Sequence, residues 1–270
     1  MIRAPLSTTS VLDEAAEVVA ATLSPWAALL ILTSIPYRFL QAVFLDQLFE
    51  VGSEATRYGN LLGGTANLIV GSVLLTLWGR AVYARACTLA MGRGRVSGRE
   101  PFRIGAAAFA CYVLTASASM LLGWLTVFTV FGFVVAIMFA GVAVGTYSMN
   151  QRVSLKTPFT LIFRHTKRLG IPFALVFVFF VATLVAMLNL AYGLSLLTWL
   201  AGAIGGFDAP NWEILFSRFN RRYWFVLIAG AFVLLEPFWV AAHVIYVRKS
   251  GAEESGDDLR TWFRELKEAS

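Results

Sequence analysis

Residues 104–147 form a long apolar stretch that contains no Asp, Glu, Lys or Arg. A helix of roughly 20 apolar residues crosses a bilayer, so this stretch is too long for one span. Lipid offers the peptide backbone no hydrogen-bond partner, and a segment of this kind must therefore be helical. We divide the stretch at Gly123 into a hairpin of two spans, at residues 104–122 and 125–147.

The composition agrees with a chain that lies largely within lipid. Hydrophobic residues make up 58% of the 270 residues and charged residues 14%, whereas an average soluble domain is about 45–50% apolar and about 25% charged. Too little polar surface remains to cover a water-soluble core, which excludes a soluble enzyme. We predict an all-α polytopic transmembrane helical bundle with about six spans, in a single domain over residues 1–250. The other four spans are expected at residues 25–44, 61–83, 172–199 and 223–247.

Three amphipathic segments are predicted to lie along the membrane surface. The first, residues 10–23, begins with the capping-box spacing of Ser10 and Asp13. The second, basic segment begins at Thr157, and the third is a cytoplasmic tail helix over residues 251–270. A helix with one apolar face must bury that face against lipid or a partner. The apolar face of the first segment is predicted to contain Leu12, Ala15, Ala16, Val19 and Leu23, and that of the tail Trp262 and Phe263.

The charges of the loops predict the orientation. The loops after the second and fourth spans are basic, whereas the loop after the first is acidic. Because basic loops remain in the cytoplasm, these two loops and both termini are expected on the cytoplasmic side of a bacterial inner membrane. Arg218, Arg221 and Arg222 oppose this arrangement, since they would lie outside. The net charge of +6 is attributed to orientation and anionic lipid, with no nucleic-acid partner. Candidate contacts with lipid headgroups or a protein partner are Arg93, Arg95, Arg99, Arg164, Lys167, Arg168, Trp262 and Phe263.

Glu236 is the most unusual residue because it lies near the middle of the sixth span, directly before Pro237. A charged side chain at that depth costs about 2.5 kcal/mol or more, so it needs a partner, a proton or an interior position. Arg38 is the natural partner, since both residues lie roughly 16–20 Å from the cytoplasmic ends of their spans at 1.5 Å per residue. Alternatively, the first span ends at Pro36 and Arg38 extends to the outer interface. Glu236 is either a structural contact between helices or a relay for protons or solutes.

The other polar residues of the spans are assigned structural roles. Asn67 and Asn189 are expected to form hydrogen bonds between helices. His165 and His243 lack cysteine or carboxylate at metal-ligand spacing, and no nucleophile elbow, HExxH motif or phosphate loop occurs. The glycine-rich loop at residues 92–98 is expected to contact lipid headgroups rather than a nucleotide. We predict no metal, no cofactor and no catalytic residue. Small apolar packing positions are expected to include Cys87 and Cys111.

Short motifs along nearly the whole chain resemble a family of bacterial membrane proteins. They are Ser10-Val-Leu-Asp-Glu-Ala15, Pro36, Ser154 with Phe159 and the Arg164–Arg168 stretch, and Tyr246-Val-Arg-Lys249 followed by Glu254 and Gly256-Asp-Asp-Leu259. The pattern is similar to the membrane domain that precedes glycerophosphoryl diester phosphodiesterase catalytic domains and also occurs alone. Ser255 interrupts the Glu-Gly step that is typical of this family. The resemblance implies a helical membrane domain with cytoplasmic termini and no catalytic residues in this chain. It further implies that the tail is anchored by Tyr246, Arg248, Asp257 and Asp258.

These observations predict a non-enzymatic membrane protein, a scaffold or accessory subunit that binds membrane lipids and a possible membrane-protein partner. The alternative is a transporter of small solutes or lipids that uses Glu236, Arg38 and Asn189 around a central cavity. A third class, an intramembrane enzyme, has little support because no nucleophile–base pair or metal set is visible.

Overall fold

A computed structural model of the protein describes residues 6–50, 55–93, 96, 98–125, 130–148, 170–205 and 220–255. These residues form helices joined by turns, with no strand among them, and the all-α prediction is confirmed. In chain order the α-helices are α1 (Thr8–Thr22), α2 (Ala28–Glu50), α3 (Ala55–Arg93), α4 (Ala106–Leu125), α5 (Val130–Ser148), α6 (Gly170–Gly205) and α7 (Arg221–Ser255).

Four stretches of helix in the described part of the chain are long and apolar enough to cross a membrane, which makes this a multi-pass membrane protein. Two shorter apolar segments, at residues 106–121 and 134–148, belong to α4 and α5. α3, α6 and α7 contain 39, 36 and 35 residues. Each exceeds the roughly 20 residues that the hydrocarbon core requires, so each is tilted or extends beyond the core. The four long stretches are Thr8–Val43, Leu68–Gly92, Gly170–Gly205 and Tyr223–Ala252.

α1 begins one turn earlier than the sequence predicted. The Ser7 hydroxyl accepts a hydrogen bond from the Ser10 N–H at 3.2 Å, and the Ser10 hydroxyl accepts one from the Ser7 N–H at 3.3 Å. This reciprocal pair is a complete capping box with Ser7 as the N-cap. The prediction of Ser10 as the N-cap, with Asp13 closing the box, is therefore wrong, because the earlier serine already satisfies these amides.

The buried face of α1 also differs from the predicted one. Val11, Ala15 and Val18 are buried, whereas Ala16 and Leu23 are exposed. An alanine- and valine-rich helix offers two adjacent apolar stripes with the same spacing, so periodicity does not distinguish them. Packing against the neighbouring helices selects one stripe.

A bend separates α1 from α2. Ser24 has φ −132° and ψ 133°, which is extended backbone between two helical segments. Pro25 follows, and its missing N–H is compatible with the start of a new helix. α2 then continues through Pro36 to Glu50.

α3 continues past its predicted end at Tyr83 to Arg93. Tyr83 and Cys87 are buried, and Arg80 is only 4% exposed. Because this part of α3 packs against protein rather than entering water, the helix has no reason to stop there. The burial of Cys87 agrees with its predicted packing role, and Cys111 is half-buried.

α4 and α5 form the predicted hairpin and pack against each other. α4 ends at Leu125, close to the predicted division at Gly123, and α5 begins at Val130. The rings of Tyr112 and Tyr147 stack across the hairpin with centroids 5.1 Å apart.

α5 approaches α7 closely through two glycines that the sequence reasoning did not single out. A Cβ atom added to Gly141 would overlap the His243 ring, and one added to Gly145 would lie 2.6 Å from the His243 carbonyl oxygen. Gly141 and Gly145 are four residues apart and share one helix face, as in the small-xxx-small pattern of helix pairs in membranes. Glycine at both positions allows the two backbones to meet.

Residue contacts divide the chain into two compact units. The glycine–histidine contact belongs to unit 1, and the charged residues of the middle of α2 and α7 belong to unit 2. Unit 1 comprises Met1–Leu30, Leu77–Phe177 and Pro237–Ser270, and unit 2 comprises Ile31–Thr76 and Val178–Glu236.

Several predictions of local structure lie outside the described residues. They are the basic helix from Thr157, the loop between the fifth and sixth spans, and the tail helix with Trp262 and Phe263. α7 itself runs to Ser255, beyond the predicted end of the sixth span at residue 247.

Candidate functional site: a buried charged pair

Glu236 lies within α7 and is 1% exposed. Its neighbour Pro237 has no N–H, so the carbonyl of Val233, four residues earlier, receives no hydrogen bond from that position. Phe232 lies one turn before Glu236 and shares its face of the helix. The segment thus presents one carboxylate and one aromatic ring in the same direction.

Arg38 of α2 meets both of these groups. Its Nη2 donates a hydrogen bond of 2.9 Å to Glu236 Oε2, and its Nη1 donates one of 2.9 Å to Gln41 Oε1. The guanidinium carbon lies 4.9 Å from the centroid of the Phe232 ring and 5.6 Å from that of Tyr37. A cation over an aromatic face is attracted by the ring quadrupole. A carboxylate, an amide oxygen and two aromatic rings therefore surround the guanidinium and take the place of water.

The ion pair expected from the depths of the two residues is thus present, and both partners belong to unit 2. The alternative has Arg38 extending to the outer interface, whereas in the structure its side chain binds Glu236. α2 remains helical through both positions, and the Arg38 side chain is only 14% exposed. A buried ion pair is sensitive to geometry, and losing either partner leaves an uncompensated charge. The pair therefore holds α2 and α7 in a defined register.

Asn189 does not join this pair. It is exposed on α6, and its amide nitrogen donates a 2.9 Å hydrogen bond to the Val185 carbonyl of the same helix. The one hydrogen bond that the structure shows for the Asn189 side chain is thus within its own helix, and the predicted hydrogen bonding between helices stays a prediction. Asn67 lies in α3, and its side chain is outside the described part of the structure.

A second buried polar cluster, in unit 1, was not predicted. The Arg80 guanidinium carbon lies 5.0 Å from the centroid of the Trp239 ring. His243 Nδ1–H donates a 2.9 Å hydrogen bond to the Trp239 carbonyl, and the two rings lie 4.8 Å apart. The sequence signal that could have located this cluster is the Gly141–Gly145 pair, which marks where α7 comes close to α5.

Both ends of the described chain also meet in unit 1. Lys249 Nζ near the end of α7 lies 2.6 Å from Glu14 Oε1 and 3.1 Å from Ser10 Oγ, both on α1. The Thr22 and Tyr83 hydroxyl oxygens, on α1 and α3, are 3.0 Å apart. α1 is therefore fastened at both of its ends by polar contacts.

The candidate lipid contacts are described only in part. Arg99 is exposed beside the turn that precedes α4. The side chain of Arg93 lies outside the description, and so do all the other candidates: Arg95, Arg164, Lys167, Arg168, Trp262 and Phe263.

Within the described residues, no group of three or more histidine, cysteine or carboxylate side chains could hold a metal ion. Comparisons of the chain with protein-family models, curated proteins and solved structures find no match. The resemblance to the glycerophosphoryl diester phosphodiesterase membrane domain stays a prediction.

Proposed function

We propose that the protein is a non-enzymatic scaffold or accessory subunit of a membrane complex in a bacterial inner membrane. The observation that carries the proposal is the Arg38–Glu236 pair, in which the one carboxylate expected in mid-span is bound at 2.9 Å to an arginine of the neighbouring helix.

The bonding of this pair favours a structural role over transport. A carboxylate that relays protons or solutes must exchange partners during the cycle, whereas Glu236 is 1% exposed and held by a guanidinium with three further contacts. Separating the pair in a low-dielectric interior is costly, because each charge would lose its main compensation. Asn189, the third residue of the transport hypothesis, is bonded within its own helix.

The contact of Lys249 with α1 supports an even number of spans. It brings the beginning and the end of the described chain together, as expected when both termini lie on one side of the membrane. With the basic loops as a guide, we assign that side to the cytoplasm.

A tag at either terminus should resist membrane-impermeant reagents in intact cells and react after permeabilisation. Reaction in intact cells would refute the assignment.

α6 offers a surface for a partner within the membrane. Only 28% of an apolar 18-residue segment of α6 is buried, compared with 39–50% of the corresponding segments of the other three long stretches. Its exposed large side chains include Phe173, Phe177, Phe180, Tyr192 and Trp199.

Copurification tests the scaffold role. We would compare the full chain with a chain ended at Ser255, which preserves all of α7, after solubilisation in mild detergent. A second pair of full-length variants, Trp262→Ala and Arg260→Gln, separates the apolar face of the predicted tail helix from its polar face. We expect a defined set of proteins to be lost with truncation and with Trp262→Ala, and to be retained with Arg260→Gln. Identical sets from all four proteins would refute the tail as a docking element.

Reconstitution tests the transport alternative. In proteoliposomes that contain a pH-sensitive dye, the wild type and Glu236→Gln should show the same proton leak as protein-free vesicles. A proton flux that requires Glu236 would replace the scaffold proposal with a transporter.

A further inference from the structure

Residues 98–103, which precede α4, form a turn. Gly98 has φ +75°, a conformation that L-residues with a side chain rarely adopt. A single 3₁₀ turn follows at Glu100–Phe102, where the Phe102 N–H donates to the Arg99 carbonyl at 3.2 Å. The Arg103 N–H donates to the Glu100 carbonyl at 3.1 Å. These hydrogen bonds hold the backbone of Arg99 and that of Arg103 at the two ends of the turn.

An aromatic cluster holds the turn against two helices of unit 1. The Phe102 ring lies 5.4 Å from the ring of Trp26, at the bend before α2, and 6.0 Å from that of Trp78 on α3. Trp26 is 6% exposed, whereas Phe102 remains 43% exposed. The Trp26 ring is therefore enclosed by protein, whereas part of the Phe102 ring is accessible from outside.

The position of this cluster matches a membrane interface. Trp26 follows the predicted start of the first span at residue 25, Trp78 precedes the predicted end of the second at residue 83, and Phe102 precedes the predicted start of the third at residue 104. Aromatic side chains concentrate at the level of the lipid headgroups. From the predicted span ends, we therefore expect the three rings at one level of the bilayer.

Two arginines flank the 3₁₀ turn in sequence, one on each side of Phe102. Arg99 and Arg103 are both exposed. Between residues 93 and 103 the sequence contains four arginines and one acid, Glu100. A guanidinium presents a planar set of N–H donors that suits the oxygens of a phosphate group.

We propose that Arg99, Arg103 and Phe102 form a binding site for the headgroup of an anionic phospholipid. The two guanidinium groups donate hydrogen bonds to the lipid phosphate, and the exposed edge of Phe102 contacts the first part of the acyl chains. The site does not depend on whether the protein is a scaffold or a transporter, since it requires only that the spans lie in lipid.

Native mass spectrometry of the full-length protein tests the site. The probes are phosphatidylglycerol and phosphatidylcholine with identical acyl chains, added in equal amounts to the detergent-solubilised protein. The test variant is Arg99→Gln/Arg103→Gln. The matched control, Arg221→Gln/Arg222→Gln, removes the same charge from the predicted opposite side.

We expect the wild type and the control to retain phosphatidylglycerol in preference to phosphatidylcholine. A basic side chain near an anionic surface contributes roughly fivefold to binding, so the test variant should bind phosphatidylglycerol roughly 25-fold more weakly. Its binding of phosphatidylcholine should not change, and Phe102→Ala should weaken retention of both lipids.

Three results would overturn the site: no preference in the wild type, equal losses in the test and control variants, or displacement of the lipid by millimolar inorganic phosphate. The last result would identify a site for free phosphate. Copurification of partner proteins is measured separately, so the failure of this site and the failure of the scaffold proposal can be distinguished.

Discussion

Breaking the Arg38–Glu236 pair should have different consequences depending on which partner is removed. In Arg38→Gln, the carboxylate of Glu236 stays 1% exposed and loses its guanidinium. Removing one partner of a buried pair typically costs about 3–5 kcal/mol, and we expect this range for Arg38→Gln.

Glu236→Gln should be milder for reasons visible in the structure. The amide oxygen of the new glutamine can still accept a hydrogen bond from Arg38, and the contacts of Arg38 with Gln41 and Phe232 remain. The Arg38 cation also keeps its contact with the Tyr37 ring. We expect a cost of about 1–2 kcal/mol, because the hydrogen bond is kept but its acceptor no longer carries a charge.

The double variant measures the coupling between the two residues. Free energies of unfolding would be obtained from denaturant titrations in mixed micelles, followed by circular dichroism. We expect the double variant to be less destabilised than the sum of the single variants by about 1–3 kcal/mol. The control cycle uses Glu14→Gln and Lys249→Gln, because Glu14 is 40% exposed and its pair should couple by less than about 1 kcal/mol. Additivity within about 0.5 kcal/mol for Arg38 and Glu236, or a larger cost for Glu236→Gln than for Arg38→Gln, would refute this reasoning.

Two other contacts give predictions for the same assay. Gly141→Ala should destabilise the protein by about 1–3 kcal/mol, because the new methyl group overlaps His243. Gly193→Ala, which meets no atom within 4 Å, should be neutral or slightly stabilising, and equal effects of the two substitutions would contradict the close packing of α5 and α7. Tyr83→Phe should cost about 1 kcal/mol, because it removes a buried hydrogen bond to Thr22. An unchanged unfolding midpoint for Tyr83→Phe would show that this bond contributes nothing.

The apolar helices could be predicted from the sequence, because their apolar character depends on composition along the chain. The uncharged stretch at residues 104–147 required a hairpin, and its division at Gly123 lies near the observed end of α4. The ion pair could be predicted for a related reason. A charge in lipid needs a partner at its own depth, and depth follows from residue counting along a helix.

Contacts between particular helix faces could not be predicted in this way. Asn189 was expected to bond between helices, but it lies on an outward face, and no residue near it in sequence reveals that orientation. The Arg80 cation lies over the ring of Trp239, and no pattern in the sequence connects these two distant residues.

The sequence by itself therefore determined that this protein is a helical membrane bundle, where its apolar segments lie, and that Glu236 requires compensation. These properties follow from the transfer of each residue between water and lipid, which is a local quantity. Only the tertiary structure decided which stripe of α1 is buried, why α3 continues to Arg93, and that Gly141 must lack a side chain. Those outcomes depend on the shapes of neighbouring helices, because packing in lipid replaces the hydrophobic effect as the force that brings helices together.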